Sequence, residues 1–357
     1  MFPVQLPLKI AVALIGAIGD VILSTPLVEA IRDAYPSAHL TYLVGEKSAP
    51  VLEHLSIIDE LYVMPEFASP RIFPSLRLLA DMRRHHFDLS VCLSRSDTLS
   101  LAFWFAGVSR RLGYLPLRTA WTLTDRIDST ADIHSTQHRT EYFLAAANVL
   151  GIPHPDRVRL HYNVTSTEMA SSERLLGGMG VDWRSATLVA IHPGTSKVSI
   201  EKRRWHEDGF TDVARYLVAT GRKPILIGGP DEVEVCSRIA AKLGSQTVDL
   251  SGKLDLRQLA AVIKHCRVLI HNDSSPLHLA GAIGVPVVTI FGYQNSRLWG
   301  PLDPRSVVVR RDLPCSPCEQ SFVCERSFEC VRQLPSSDVI QAVESVLRQS
   351  AGTPLWT

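Results

Sequence analysis

Short, continuous apolar runs alternate along the chain with longer stretches in which apolar residues recur every three or four positions. The first run is Ile10-Ala11-Val12-Ala13-Leu14-Ile15, followed by a glycine turn and a helical pattern through Val21, Ile22, Leu27, Ala30 and Ile31. A run that is apolar at every position has no wet face, and so predicts a strand buried on both sides in a parallel sheet. Leu40–Val44, Leu61–Met64 and Leu89–Leu93 read as further strands with helices between them. After a polar, less patterned stretch near Thr165–Trp183 the same alternation restarts. Leu188–Ile191 leads into His192-Pro193-Gly194, Pro224–Ile227 ends in Gly228-Gly229-Pro230, and Val268–Ile270 and Val287–Phe291 follow. Strand and helix alternating on both sides of one break predict an α/β chain of two Rossmann-like halves, each with a parallel sheet. Ligands of such sheets bind beyond the carboxyl ends of the strands, so chemistry is expected in the loops just named.

A length of 357 residues fits two domains. With 46% hydrophobic and 20% charged residues the chain can bury two cores. The net charge of +1 argues against a general nucleic-acid binder, which carries a basic excess. The longest apolar candidate for a membrane span, Ile10 to Leu27, is broken by Gly16, Gly19, Asp20 and Pro26. The charged-then-apolar order of a signal peptide is missing at the start of the chain, so a cytoplasmic protein is expected. Its seven cysteines then read as thiols or metal ligands rather than disulfides.

Three loops carry candidate chemistry. Gly16-Ala17-Ile18-Gly19-Asp20 opens a helix after the first strand, and its glycines would allow close approach of a ligand. Asp20 there is either a helix cap or a general base. His192-Pro193-Gly194-Thr195-Ser196, with Lys202-Arg203-Arg204-Trp205 close behind, combines hydroxyls and cations that suit a phosphate or form a solvated charged face. Trp205 is expected to anchor a helix to the core. Asn272-Asp273-Ser274-Ser275-Pro276-Leu277-His278 follows an apolar strand, where Ser274 and Ser275 could cap a helix and bind a diphosphate, with His278 one turn in. The phosphate loop G-x-x-x-x-G-K-[ST], the G-x-S-x-G elbow, the H-E-x-x-H pair and any Asp-x-Asp spacing are all missing. Their absence weakens hydrolase, NTPase and zincin readings and any transferase that uses a carboxylate-held metal.

Taken in order, these motifs resemble one known family, the ADP-heptose:lipopolysaccharide heptosyltransferases of glycosyltransferase family 9, from about Lys9 to Val343. The carriers are Gly16 to Pro26, His192-Pro193-Gly194 with the basic segment and Trp205, Gly228-Gly229-Pro230, Leu250-Ser251-Gly252-Lys253, Asn272 to Ala280, and Phe291-Gly292 through Trp299-Gly300-Pro301. The resemblance implies a GT-B fold, with residues 1–170 binding the acceptor, residues 171–335 binding the nucleotide sugar and residues 336–357 forming a helix that packs back on the first domain. It implies that Asp20 is the catalytic base, with Gly16 and Gly19 on the acceptor side. Thr195, Ser196, Lys202, Arg203, Gly229, Lys253, Asp273, Ser274, Ser275 and His278 would hold the donor. The sequence departs from the family pattern at Arg203, where lysine is usual, and at Ser275, where glycine is usual. Arginine can still clamp a diphosphate, and serine fits if its φ is negative.

The implied reaction is inverting transfer of heptose from ADP-heptose to a lipopolysaccharide core or related glycan, without a metal or other cofactor. Another nucleotide sugar or acceptor, as in O-antigen or protein glycosylation, is the alternative within enzymes. A non-catalytic nucleotide-sugar binder is the alternative outside them. A dehydrogenase would need a dinucleotide fingerprint that the first loop lacks.

Two features lie outside this scheme. Residues 71–139 hold ten Arg and no Lys against six Asp, which suits a phosphorylated, lipid-linked acceptor and contact with the inner-membrane face. Cys315-x-x-Cys318, Cys324 and Cys330 have spacing that permits a four-thiolate zinc or iron–sulfur site. Cys92, Cys236 and Cys266 fall in core patterns.

Overall fold

The computed structural model describes residues 8–64, 73–128, 137–195, 200–318 and 324–350, with residues 200 and 201 by backbone alone. The chain divides into two compact units, Met1–Asn163 and Val164–Thr357, so the boundary falls a few residues before the expected one at 170.

The first unit is a six-stranded, all-parallel sheet in the order β3-β2-β1-β4-β5-β6. Its strands are β1 (Lys9–Leu14), β2 (His39–Gly45), β3 (Glu60–Met64), β4 (Leu89–Cys92), β5 (Arg110–Leu115) and β6 (Asp125–Asp128). The helices are α1 (Ile18–Ala34), α2 (Leu76–His85), α3 (Asp97–Phe105) and α4 (Arg139–Leu150). β1 is one of the two middle strands, and its apolar run is buried throughout from Ile10 to Leu14. α1 also buries most of its surface, with Val21, Ile22, Leu23, Leu27, Val28 and Ile31 all inaccessible. Pro26 inside α1 leaves the Ile22 carbonyl without its usual N–H, and the Thr25 hydroxyl takes that place at 2.7 Å.

The second unit repeats the plan in the order β12-β11-β10-β7-β8-β9, again all parallel. The strands are β7 (Leu188–His192), β8 (Lys223–Leu226), β9 (Val248–Asp249), β10 (Val268–Asn272), β11 (Val287–Ile290) and β12 (Val307–Val309). The helices begin with α5 (Ser166–Gly178), α6 (Ile200–Arg203), α7 (Glu207–Ala219), α8 (Val233–Leu243) and α9 (Leu256–Lys264). They continue with α10 (Pro276–Ala282), α11 (Ser296–Trp299), α12 (Glu329–Arg332) and α13 (Ser336–Ser350). Both sheets have the doubly wound strand order, in which the direction of winding reverses beside the first strand. The reversal lies between β1 and β4 in one unit and between β7 and β10 in the other.

Several elements differ from expectation. The polar stretch after 165 contains α5, nucleated by a capping box in which Thr165 and Glu168 satisfy each other's backbone N–H. The helix near the C-terminus, expected to pack back on the first domain, instead directs its apolar face into the second unit. Val339, Ala342, Val343 and Val346 of α13 join the core formed by β7, β10, α7 and β12, and Arg222 pairs with Glu344 outside it. Burying each of those valines stabilises this placement by about 1.5 kcal/mol or more. Residues 351–357 lie outside the described residues.

Candidate active site

In the first unit Asp20 sits in the opening turn of α1, but the N-cap is Ala17, whose side chain makes no capping bond. Asp20 is therefore not the helix cap. Its carboxylate accepts instead from Arg139 Nε at 3.3 Å, across the packing of α1 on α4. Arg139 is aimed by its surroundings, since its guanidinium lies 3.9 Å from the centre of the Tyr142 ring and 4.9 Å from that of Phe143. Nothing in the Arg-rich composition singled out this residue. Gly16 is exposed, and a Cβ there would meet only ordinary contacts, with Leu14 at 3.6 Å and Asp20 at 3.8 Å. The fold thus does not require glycine at 16. Gly19 is buried in the first turn of α1.

In the second unit a single amide ties the candidate loops together. Asn272, fully buried at the end of β10, donates to the carbonyls of Pro193 (2.9 Å) and Gly194 (3.0 Å), and accepts from the backbone N–H of Trp205 (2.9 Å). Trp205 is 1% exposed and donates to Leu334 O, which makes it the core anchor that was expected. Gly194 is needed for close approach: a Cβ would lie 2.2 Å from Glu232 Cγ. Glu232 lies across the glycines and accepts from Gly229 N–H at 2.7 Å.

Arg203, at the end of α6, lies 3.7 Å from the nearly buried carboxylate of Asp273. It also donates to the Tyr293 hydroxyl from Nε (3.3 Å) and Nη2 (3.1 Å). The Gln294 amide, oriented to satisfy both ends, donates to Asp273 at 2.5 Å and accepts from Arg203 at 2.5 Å. Lys202 approaches the same tyrosine, with Nζ 5.8 Å from the ring centre. Asp273 thus acts on the arginine, and its own backbone N–H is already bonded to Ile290 O. A fixed guanidinium beside a lysine is an anion site of the kind a diphosphate fits. Tyr293 and Gln294 fall inside the Phe291–Pro301 motif, but neither was singled out for the site because neither carries charge.

Around this cation the strand ends are polar and buried. Thr195 Oγ1 and His192 Nδ1 have no hydrogen-bond partner among the described residues. Burial lowers the pKa of His192 to about 4 and that of its register neighbour His271 to about 3, so both are neutral at physiological pH. His278 is buried in α10.

Ser274 donates to Asn272 O, and neither serine side chain caps α10. Ser275 has φ −53°, so no glycine is required at that position. Lys253 is held by Asp249 O at 2.7 Å and lines a cavity of about 480 Å³ with Thr167, Asp255 and Arg257. No hydrogen bond or ion pair among the described residues joins it to Arg203 or Asp273. Ser196 lies outside the described residues.

Cys315 is exposed, Cys318 and Cys324 half-buried and Cys330 buried, all as free thiols. Burial raises the Cys330 pKa, helped by the neighbouring Cys318, Cys324 and Cys315. Among the described residues no group of three or more His, Cys, Asp or Glu side chains is placed to hold a metal ion. The cysteine segment is bonded to the loop that follows β11. Ser316 Oγ donates to Gly292 O (2.7 Å), and Cys318 N–H donates to Tyr293 O (2.9 Å). Cys92, Cys236 and Cys266 are core residues whose thiols burial pushes up to about 12.

The model of Glycosyltransferase family 9 (heptosyltransferase) matches residues 75–327. The chain belongs to this family. It is accordingly a glycosyltransferase. Lipopolysaccharide heptosyltransferase 3 of Escherichia coli is 24% identical to this family 9 enzyme over 94% of its chain and 99% of the relative. A family 9 glycosyl transferase from Veillonella parvula superposes with TM-score 0.83 at 24% identity, covering 96% of this chain and 97% of the other. The E. coli ADP-heptose lps heptosyltransferase II superposes with TM-score 0.78 at 20% identity, covering 97% and 100%. These superpositions show the GT-B fold. No described helix is long and apolar enough to cross a membrane.

Proposed function

We propose that this enzyme transfers a heptose, with inversion, from ADP-heptose to a lipopolysaccharide core or related glycan acceptor. The observation that carries the reading is the Arg203 site, a cation fixed by Asp273, Tyr293 and Gln294 beside buried polar groups at the sheet's reversal point. Support for the sugar and nucleotide comes from relatives named as heptosyltransferases, one of them for ADP-heptose.

In this mechanism the acceptor hydroxyl attacks the anomeric carbon while Asp20 takes its proton. The bond from that carbon to the diphosphate oxygen breaks, and ADP leaves with its added charge held by Arg203 and Lys202. Arg139 turns the Asp20 carboxylate toward its task. A placed base contributes about 10²–10⁴-fold, and a preorganised charge donor a similar factor. Thr195, Ser274, Ser275, His278, Gly229 and Lys253 are assigned to the donor; Ser196, assigned with them, lies outside the described residues. Glu232, a carboxylate in the 3-10 turn Pro230–Glu232 that follows β8, is suited to accept from ribose hydroxyls. No metal is assigned a step, because the cations supply the charge. The reaction takes place on the cytoplasmic side of the inner membrane, on a lipid-linked acceptor.

A panel of ADP-, GDP- and UDP-sugars, scored for nucleotide release with and without acceptor glycan, tests this reading. ADP-heptose consumed only when acceptor is present supports it, and preference for a UDP-sugar overturns the donor assignment.

A further inference from the structure

The first unit carries an aromatic ridge on its surface that no proposed step uses. Trp104 and Phe105 end α3 with 39% and 41% of their surface exposed, and Trp121, in the short 3-10 turn Ala120–Thr122, is 60% exposed. They form one cluster: the Trp104 ring centre is 5.0 Å from Trp121 and 4.8 Å from Phe105, both edge-on. Three large aromatic side chains left together at the surface of a folded unit mark an interaction site.

The rim of the ridge is cationic. Arg83 Nε donates to Phe105 O at 3.3 Å, which brings the Arg83-Arg84 end of α2 to the ridge. Leu76, Ala80, Arg83 and Arg84 follow the helical spacing of one face of α2, and all four are exposed. Arg118, also exposed, precedes Trp121 by three residues. The acids of this region are engaged within the fold. Asp97 accepts from the backbone and hydroxyl of Thr119, Asp125 pairs with Arg110, and Asp81 accepts from Tyr62 and pairs with Arg84.

We propose that this ridge docks on an anionic lipid bilayer, with Trp104, Phe105 and Trp121 at headgroup depth and Arg83, Arg84 and Arg118 against lipid phosphates. Indole and phenyl rings favour that zone because one edge can stay wet while the body leaves water, and arginines beside them add attraction to negative lipid. The inference rests on the lipid-linked acceptor proposed above for its purpose only. Docking itself requires no turnover.

The test is co-sedimentation of the full chain with vesicles of phosphatidylcholine alone and of phosphatidylcholine mixed with phosphatidylglycerol. The protein pellets with the mixed vesicles at low salt, and less so as salt rises. Arg83→Ala with Arg84→Ala weakens partition roughly ten-fold and flattens the salt dependence. Trp104→Ser with Trp121→Ser also weakens it about ten-fold, while the Phe pair at the same two positions restores binding. Parent protein that stays in solution with mixed vesicles at low salt overturns the proposal. So does a variant carrying all four Ser and Ala changes that still pellets like the parent. ADP-heptose turnover on a delipidated acceptor is read in parallel. Loss of vesicle binding with turnover intact supports the ridge, whereas a parent that binds vesicles without turnover defeats only the transferase reading.

Discussion

Tyr293→Phe removes the hydroxyl that receives two bonds from Arg203 while leaving the ring beside Lys202 and Arg203 in place. The two bonds, 3.3 and 3.1 Å long, lie at the long end of the normal range, and the arginine side chain keeps 20% of its surface exposed. Bonds to a charged group contribute about 1.5–3 kcal/mol when well made. This geometry places the pair near the lower limit, at about 1.4 kcal/mol, or ten-fold in affinity. The expected phenotype is a ten-fold weaker ADP Kd by titration calorimetry, and a raised KM for the nucleotide sugar with kcat nearly unchanged. Arg203→Ala should cost more, on the order of 2–3 kcal/mol, because the clamp itself is gone. The decisive measurement is the double variant. If Tyr293 acts only by holding Arg203, adding Tyr293→Phe to Arg203→Ala weakens ADP no further. Additive losses in that cycle would refute the positioning role and put the hydroxyl on the ligand itself.

Other expectations follow from the same geometry. Asp20→Asn should lower turnover at least about 10²-fold without changing the thermal midpoint, and full activity would reject Asp20 as base. Arg139→Ala should lower kcat with the donor Kd unchanged, because it acts through Asp20; an altered ADP Kd would contradict this. Gly194→Ala forces Glu232 off Gly229 N–H, so ADP binding should weaken several-fold and the melting point should fall. Stability should also fall in acid. His192 titrates near 6.5 when unfolded and near 4 when folded, and His271 is shifted in the same direction. The unfolded chain therefore binds protons that the folded one refuses. This contribution is fully present above about pH 6.5 and is lost as pH falls toward 4, at up to about 1.4 kcal/mol per pH unit per histidine. Urea melts at pH 7, 6 and 5 would measure it, and a midpoint independent of pH would contradict the assignment.

The central strands were legible in the sequence because a stretch buried on both faces must be apolar at every position, as β1 is from Ile10 to Leu14 and β7 from Leu188 to Ile191. β5 and β6 were not. β5, one strand in from the edge, opens on Arg110-Arg111, and β6, at the edge, reads Asp-Arg-Ile-Asp, polar patterns that resemble a loop. α5 could have been recognised from Thr165-x-x-Glu168, a cap whose two bonds are local. The placement of α13 could not, because its amphipathic pattern states that one face is buried but not against which sheet. The same limit applies at the site. Asp20, Arg203 and Asp273 stand in motif loops at the sheet reversals, where chain order predicts a ligand. Arg139 and Tyr293 reach them from 119 and 90 residues away in sequence, by contacts that only packing creates.

Asn272 holds three chain segments on one side-chain amide, and its nitrogen and oxygen are not interchangeable there. The nitrogen faces two carbonyls and the oxygen faces one N–H. Hydrolysis of that amide to a carboxylate would set negative charge against both carbonyls at a fully buried position, so ageing at a single side chain would loosen the Pro193-Gly194 and Trp205 segments at once. Burial that keeps water from the amide also slows that reaction. Tyr293 and Gln294 stand outside this frame and reach it through Arg203, so differences in sugar or nucleotide preference should be sought at their loop.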